Sequence, residues 1–314
     1  MPQMRALGSS GLESPRLVLG GNVLGWTLRG EDAFRILDRF VEAGGTMIDT
    51  ADVYSNWVPG HRGGESEALI GEWLKRRGRR DDVLIATKVG YDQGLDPRRI
   101  QAAAEASLKR LGTDHIDLYY AHKDDPAAPL EATLAAFAGL VEQGKVRALG
   151  ASNYSAERLE QALAISGQSA APGFTVLQPE YNLMVRDRFE GALQRLCIER
   201  DIGVLPYFGL ASGFLTGKYR SKADLGKSVR GDTVAAKYFN PRGWAVLAAL
   251  DEVAAETGAT QAQAALAWIA AQPGVTAPIA SATSLDQLEE LLGAMELELA
   301  AAQIERLTRA GAEG

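Results

Sequence analysis

The chain has one cysteine, Cys197, among 314 residues, so no disulfide can form within it. That suits a reducing compartment. Histidine is scarce too: His61, His115 and His122 are the only three. No His/Cys/carboxylate spacing matches a metal site, so none is expected. No apolar run approaches the roughly 18 residues that suggest a membrane span. The opening residues, Met1-Pro2-Gln3-Met4-Arg5, carry no apolar signal core, and a cytoplasmic location with no membrane partner is expected. Positive charge is not in excess: 33 Lys and Arg stand against 40 Asp and Glu, a net −7. This argues against a nucleic-acid binder working through a broad basic surface, but leaves room for a local basic pocket that holds one phosphate. Finally, no G-x-G-x-x-G follows the first strand-like run. Gly20-Gly21-Asn22 is too short for that dinucleotide fingerprint.

What is present is an alternation. Hydrophobic residues make up 46% and charged residues 23%, an ordinary globular balance. Short apolar runs occupy Arg16–Gly20, Thr46–Ala51, Val83–Val89, Ile116–His122, Val146–Ser152, Thr175–Tyr181, Ile202–Phe208 and Val275–Ser281. Near-continuous apolar runs suit strands covered on both faces. Helical spacing lies between them. Leu130, Leu134, Phe137 and Val141 share one face ahead of a terminating Gly144, and Ile100, Ala104, Leu108 and Leu111 follow an Asp96-Pro97 start. Strand–helix alternation implies right-handed βαβ units and a parallel sheet. Eight such units predict an α/β chain folded as a (β/α)8 TIM barrel, one domain over residues 1–314, with a doubly wound open sheet as the alternative. Gly8-Ser9-Ser10-Gly11 suggests an N-terminal β-hairpin on the barrel floor. Trp244–Thr257 and Ala262–Ala271 read as extra helices near the C-terminus, which leaves Gly209–Pro241 as a long seventh βα loop of the kind that is usually functional.

Barrels of this kind react at the C-terminal ends of their strands. Those ends carry Asp49 through Tyr54, Thr87-Lys88, His122-Lys123, Ser152-Asn153, Gln178 with Tyr181, and Tyr207. Asp49 and Lys88 lie inside apolar strands, where a lone charge is expensive, so each is expected to partner the other. Asp, Tyr, Lys and His converging on one mouth can reduce a carbonyl: hydride arrives at carbon, and a general acid protonates the oxygen. Tyr54 is the expected acid, and a free tyrosine titrates near ~10. A Lys88 ammonium at ~4 Å contributes about 4 kcal/mol at an effective dielectric of ~20, roughly three pKa units before desolvation. Lys88 is therefore expected to bring Tyr54 down, Asp49 to keep Lys88 charged, and a neutral His122 to orient the substrate oxygen.

The same segments resemble the aldo-keto reductase superfamily over nearly the whole chain. Asp49-Thr50-Ala51-Asp52-Val53-Tyr54 looks like the segment that supplies the Asp and Tyr of that family's tetrad. Gly64-Glu65-Ser66-Glu67-Ala68-Leu69-Ile70-Gly71 matches the G-x-S-E-x-x-hydrophobic-G segment that follows it. Ala86-Thr87-Lys88, Asp117 through His122, Gly150-Ala151-Ser152-Asn153, Gln178 through Asn182 and Leu210 through Lys218 come in the expected order. The resemblance implies NADP as cofactor, with NAD as the other option, and a small-molecule carbonyl substrate. It also implies that Ser152, Asn153 and Gln178 hold the nicotinamide carboxamide beside Gly21 and Asp49, and that Tyr207 stacks on the ring. Phe208, Leu210, Ser212, Gly213 and Lys218 would line the pyrophosphate, and Ser281, Thr283, Gln287 and Glu290 would grip the adenosine end. Trp26 and Trp57, in loops after the first two strands, are expected to rim the substrate mouth.

The chain departs from the family pattern in two places. Gly209 stands where relatives often have proline, so a looser turn is expected. The adenosine segment lacks the usual basic residue, and Leu291 replaces an Asn, which weakens the expected preference for NADP. Several residues have bland readings. His115 reads as a surface or capping residue, His61 as solvated, Trp73 and Trp268 as core, Glu65 and Glu67 as structural, Arg77-Arg79-Arg80 as a solvated helix end and Cys197 as an apolar filler. Two other function classes fit less well. A cofactor-binding sensor or accessory subunit would not need the complete tetrad, and an aldolase or isomerase barrel would use Lys88 as a Schiff-base amine.

Overall fold

Strand twist and short βα connections turn the alternation into a cylinder. The structure, a computed structural model, describes residues 3–312. Two short strands, β1 (Arg5–Ala6) and β2 (Glu13–Ser14), pair antiparallel as an N-terminal hairpin. The eight that follow are all parallel: β3 (Val18–Gly20), β4 (Met47–Asp49), β5 (Leu84–Val89), β6 (Ile116–Ala121), β7 (Val146–Ser152), β8 (Phe174–Gln178), β9 (Gly203–Val204) and β10 (Ile279–Ala280). Their spatial order is β10-β3-β4-β5-β6-β7-β8-β9. The two ends meet through backbone bonds from Thr276 to the Val204 carbonyl (2.9 Å) and from Ile279 to the Pro206 carbonyl (2.8 Å), with a parallel bridge between Val204 and Val275. The last two strands are the shortest. Pro206 and Pro278 lie in those runs, and proline has no N–H to give a ladder.

Helices α1 (Gly30–Glu42), α2 (Glu65–Arg77), α3 (Pro97–Leu111), α4 (Leu130–Glu142), α5 (Ala156–Ser169) and α6 (Ala192–Glu199) follow successive strands. Asp96 caps α3 by accepting from the amides of Arg98 and Arg99, ahead of Pro97 in the first turn. Leu130, Leu134 and Phe137 are buried on the inner face of α4. After β9 come α7 (Gly231–Tyr238), α8 (Pro241–Thr257) and α9 (Gln261–Ala270), and after β10 come α10 (Leu285–Gly293) and α11 (Ala301–Ala310). The segment expected to be one long loop is therefore largely structured. It holds 3-10 turns at Ala211–Thr216 and Lys222–Lys227 as well as α7. Ser221 and Asp224 form a capping box there, a local start signal that the apolar periodicity does not register.

Two apolar layers result. The barrel interior contains Val18, Met47, Ala86, Leu118, Tyr120, Ala148, Val176, Leu205 and Ala277, and Leu7 and Leu12 of the hairpin join them from below. The second layer lies between strands and helices and includes Trp73 and Trp268. The hairpin sits flush against the floor. A Cβ at Gly8, whose φ is +54°, would collide with the Gly203 amide and the Asp201 carbonyl. With the floor filled, polar side chains gather at the opposite rim. No helix among the described residues is long and apolar enough to cross a membrane.

Candidate active site

Asp49 ends β4, and Lys88 is the penultimate residue of β5. Both side chains point into the barrel mouth and are enclosed, Lys88 with 0% of its surface exposed. The ammonium is satisfied by three oxygens: Asp49 Oδ2 at 2.7 Å, the Thr50 carbonyl at 2.7 Å and the Tyr54 hydroxyl at 2.9 Å. The Tyr54 hydroxyl donates to the same Asp49 oxygen at 3.2 Å. His122, one residue past β6, faces the Tyr54 ring with centroids 6.1 Å apart. The four residues expected to form a tetrad are thus together.

Their electrostatics differ from the sequence-based expectation in one respect. The Tyr54 phenol lies well above its ordinary range, first because it is buried and then because of the Asp49 carboxylate. The Lys88 ammonium, 2.9 Å away, does not outweigh these effects, because its charge is already matched by Asp49 at contact distance. Tyr54 therefore sees an ion pair instead of a lone cation. Burial lowers Lys88, and the Asp49 carboxylate resists that shift. His122 lies well below its ordinary value, through burial and the charges of Lys88 and Lys123. It is a neutral imidazole, as expected, and its Nδ1 is buried without a partner.

Around this centre runs a second polar network. Gln178 Nε2 donates to Asp49 Oδ1 (2.8 Å), and Ser152 Oγ donates to the Gln178 carbonyl (2.8 Å). Asn153 is left-handed at φ +57° and donates to the His122 carbonyl (3.0 Å), while the Tyr207 hydroxyl donates to Asn153 Oδ1 (2.7 Å). Burial pushes the Tyr207 phenol up to about 12, so it serves as a neutral donor. Gly21 packs against Asp49. Its amide donates to the Asp49 carbonyl at 2.7 Å, and a Cβ there would come within 2.8 Å of that oxygen.

A nicotinamide dinucleotide fits the residues that remain. Phe208, Ala211, Ser212 and Gly213 all have positive φ. Successive amides in such a conformation form an anion-binding concavity, and the Lys218 ammonium would lie 3.1 Å from a Cβ placed on Gly213. Asn182 Nδ2 donates to the Phe208 carbonyl at 3.0 Å, a tether beside the turn at Gly209. Leu210 immediately precedes the 3-10 turn as its N-cap. At the other end, Ser281 Oγ donates to Asn22 Oδ1 (2.6 Å), and Gln287 Oε1 accepts from both the amide and the hydroxyl of Thr283 (2.9 and 3.0 Å). The Glu290 carbonyl is held by Gln263 Nε2 at 2.9 Å. Trp26 and Trp57 meet edge to face at 5.6 Å, and Trp57 also contacts Tyr54 at 6.1 Å, which places both at the mouth.

Sequence reasoning gave no role to four residues here. Tyr91 covers His122 at 4.8 Å, with Lys123 over its ring at 4.9 Å. Tyr120 lies under Lys88, and a Cβ at Gly150 would strike its ring. Arg230, the N-cap of α7, lies over Trp26 at 5.5 Å and is half-buried with no carboxylate partner among the described residues. Lys123 belongs to the His122-Lys123 strand end already singled out, Tyr91 lies two residues past β5, and Arg230 has no local signal. His61 is partly enclosed, not solvated, and lies 4.0 Å from Glu65. Among the described residues no group of three or more His, Cys, Asp or Glu could hold a metal ion.

Comparison with known proteins agrees with this geometry. The family model described as "Aldo/keto reductase family" matches residues 16–312. Aldo-keto reductase str7 of Strobilurus tenacellus is 38% identical, over 86% of this chain and 78% of its own. A probable voltage-gated potassium channel subunit beta of Arabidopsis thaliana is 32% identical, over 94% and 92%. Among solved structures, the thermostable aldo-keto reductase Tm1743, in complex with the inhibitor epalrestat, superposes with a TM-score of 0.79 at 30% identity. That match covers 98% of this chain and 99% of the other.

Proposed function

Because the chain belongs to the aldo/keto reductase family, we propose that it reduces aldehydes, ketones or sugar-like carbonyls to alcohols, with Tyr54 as the proton donor. The nicotinamide dinucleotide, when bound, supplies the hydride to the carbonyl carbon. Tyr54 is suited to the acid role because burial keeps its hydroxyl protonated, and Lys88 lies 2.9 Å away to stabilise the oxygen that gives up the proton. Neutral His122 directs the substrate oxygen toward Tyr54. Asp49 orients Lys88, and Ser152, Asn153 and Gln178 present the hydroxyl and amide groups that a carboxamide needs. Lys218, beside Gly213, is the cation suited to the diphosphate, and Trp26, Trp57 and Tyr91 wall the substrate mouth. The observation that carries this reading is the Tyr54 hydroxyl held between Lys88 and Asp49 beside His122.

Replacing Tyr54 with phenylalanine tests it. Tyr54→Phe keeps the ring packing and removes the donor, so cofactor affinity by fluorescence titration should persist. The rate should fall ~10²–10⁴-fold, the usual worth of acid catalysis. A variant that keeps more than about a tenth of wild-type kcat overturns the assignment.

For the cofactor we favour NADP over NAD by a modest margin. The amides in the first turn of α10 offer donors to a 2′-phosphate, but the Ser281 hydroxyl is given to Asn22 and the Thr283 amide and hydroxyl to Gln287, and that segment has no cation of its own. The likeness to a channel subunit supports a second reading, a cofactor-binding accessory protein with little turnover. Steady turnover of simple carbonyls decides between them. A Schiff-base role for Lys88 is disfavoured, since its ammonium is enclosed and bound to Asp49.

A further inference from the structure

The βα loops on one side of the mouth are laced to one another by side chains. Ser55 Oγ, just past Tyr54, donates to the Leu24 carbonyl of the β3–α1 loop at 3.0 Å. Asn56 Nδ2 of the β4–α2 loop donates to Asp92 Oδ2 of the β5–α3 loop at 2.7 Å. Asp125 Oδ2 of the β6–α4 loop accepts from the Leu95 amide at 2.8 Å. None of these bonds belongs to the tetrad, yet the middle one stands next to it on both sides. Asn56 precedes Trp57, whose ring meets Tyr54 at 6.1 Å, and Asp92 follows Tyr91, whose ring lies 4.8 Å from His122.

Trp57 and Tyr91 thus flank the Tyr54–His122 pair, and each shows close to half of its surface, 47% and 45%. Exposed rings of this size beside a reacting centre are surface that a ligand can cover. The two loops are anchored differently. Ser55 is buried with φ +75°, a conformation that a non-glycine residue keeps only where its surroundings impose it, so Asn56 starts from a fixed point. The other loop hangs between two glycines. Gly90 (φ +94°) and Gly94 (φ +74°) are packed so closely that a Cβ would come within 2.3 Å of Leu95 Cδ2 and 2.5 Å of Asp125 Oδ2. Tyr91, Asp92 and Gln93 between them are exposed. Side-chain contacts hold this short flap over the mouth: the Tyr91 ring on His122, the Lys123 ammonium over that ring at 4.9 Å, and the Asn56–Asp92 bond.

We propose that Asn56 and Asp92 are specificity-determining positioning residues, whose hydrogen bond ties the Tyr91 flap to the Trp57 loop and sets how broad a substituent the mouth admits beside Tyr54. The bond ends on a carboxylate, which makes it stronger than a neutral one. It spans the rim, so its loss frees the flap without touching the tetrad. The closed rim suits a flat group lying against Trp57 and Tyr91, since ring contacts are selective for shape. A carbonyl compound with an unencumbered aromatic ring is the class it fits, and a thick or branched ring needs the flap displaced.

The inference rests on the proposed reductase reading for its choice of substrates, and the test separates the two. Benzaldehyde and its di-tert-butyl derivative, substituted at both meta positions, share a reacting group and differ in breadth. Propanal reports on the tetrad alone. The wild type should prefer benzaldehyde over the broad aldehyde through KM. Asp92→Ala and Asn56→Ala should each shrink that preference about threefold or more, the worth of one ring contact, with kcat on propanal within about twofold of wild type. The double variant should go no further than either single one, because both remove the same bond. Exchanging the pair, Asn56→Asp with Asp92→Asn, reverses donor and acceptor and should restore most of the preference. An unchanged preference in both single variants, equal losses on all three aldehydes, or an exchange that restores nothing overturns the proposal. Dissociation constants of the two corresponding benzyl alcohols, measured by saturation-transfer NMR with NADP present, give the same comparison without turnover. If the Asn56 and Asp92 variants change the alcohol ratio in a protein that turns over none of the aldehydes, the positioning role stands and the reductase reading falls.

Discussion

Lys88 holds the site together by occupying all three of its donor directions: Asp49, the Thr50 carbonyl and Tyr54. Because Tyr54 is held far above its ordinary range and Lys88 is lowered, the lysine titrates first. We therefore predict that the rate falls as pH rises through the lowered Lys88 value, and that Tyr54 contributes no limb of its own. Lys88→Met should lose at least ~10²-fold in kcat, since the proton-transfer step loses its charge partner, and its residual rate should lack the alkaline limb. A pH–rate series on the two proteins checks this, and an unchanged limb in Lys88→Met would dissociate Lys88 from the titration. His122 is pushed well below its ordinary value, so no acid limb from it should appear around its free value of about 6.5. The tetrad was legible in the sequence because each member sits at a strand end, and the barrel sends all such ends to one rim. The direction of the Tyr54 shift was not legible, because it depends on how tightly Asp49 neutralises Lys88. Arg80, expected on a solvated helix end, reaches the buried Asp117 at 2.6 Å, a partner 37 residues away that periodicity cannot supply.

At the scale of elements, the apolar runs located every strand of the barrel, since a parallel strand buried on both faces needs an uninterrupted apolar stretch. The ends of those strands were less legible, as Pro206 and Pro278 curtail β9 and β10. The seventh segment was misjudged, because capped 3-10 turns leave no periodic trace. A prediction belongs to the element α10. Its N-cap Ser284 accepts from the Gln287 amide at 3.2 Å, and the preceding residues lead an anion toward the positive end of the helix. Thr283 is exposed, and its hydroxyl is committed to Gln287. Thr283→Arg gives up that one contact and adds a charge-assisted one, a difference on the order of 1.5–3 kcal/mol. It should tighten NADPH roughly tenfold or more while leaving NADH nearly unchanged. Side-by-side dissociation constants test it. An equal effect on both cofactors would mean that residue 283 does not face the 2′-position, and a wild type that prefers NADH would reverse our cofactor choice.

At the scale of the molecule, the barrel is sealed at one end by its own N-terminus. Leu7 and Leu12 complete the interior layer, and Gly8 fits only because it has no side chain. Gly8→Ala must displace the Gly203 backbone and holds a non-glycine residue at positive φ, at a combined cost of about 2 kcal/mol or more. A drop of several degrees in thermal midpoint should follow, with the tetrad and its rate intact at low temperature. A midpoint equal to the wild type would show that the hairpin does not bear on the floor. The plug also governs traffic. A chamber with one doorway empties by the way it fills, so cargo is handled last in, first out. On the proposed reading, a dinucleotide reaching from Asn153 to Gln287 lines the threshold, and a small carbonyl enters over it. The alcohol must then depart before the spent dinucleotide can, so that release runs in the reverse order of entry.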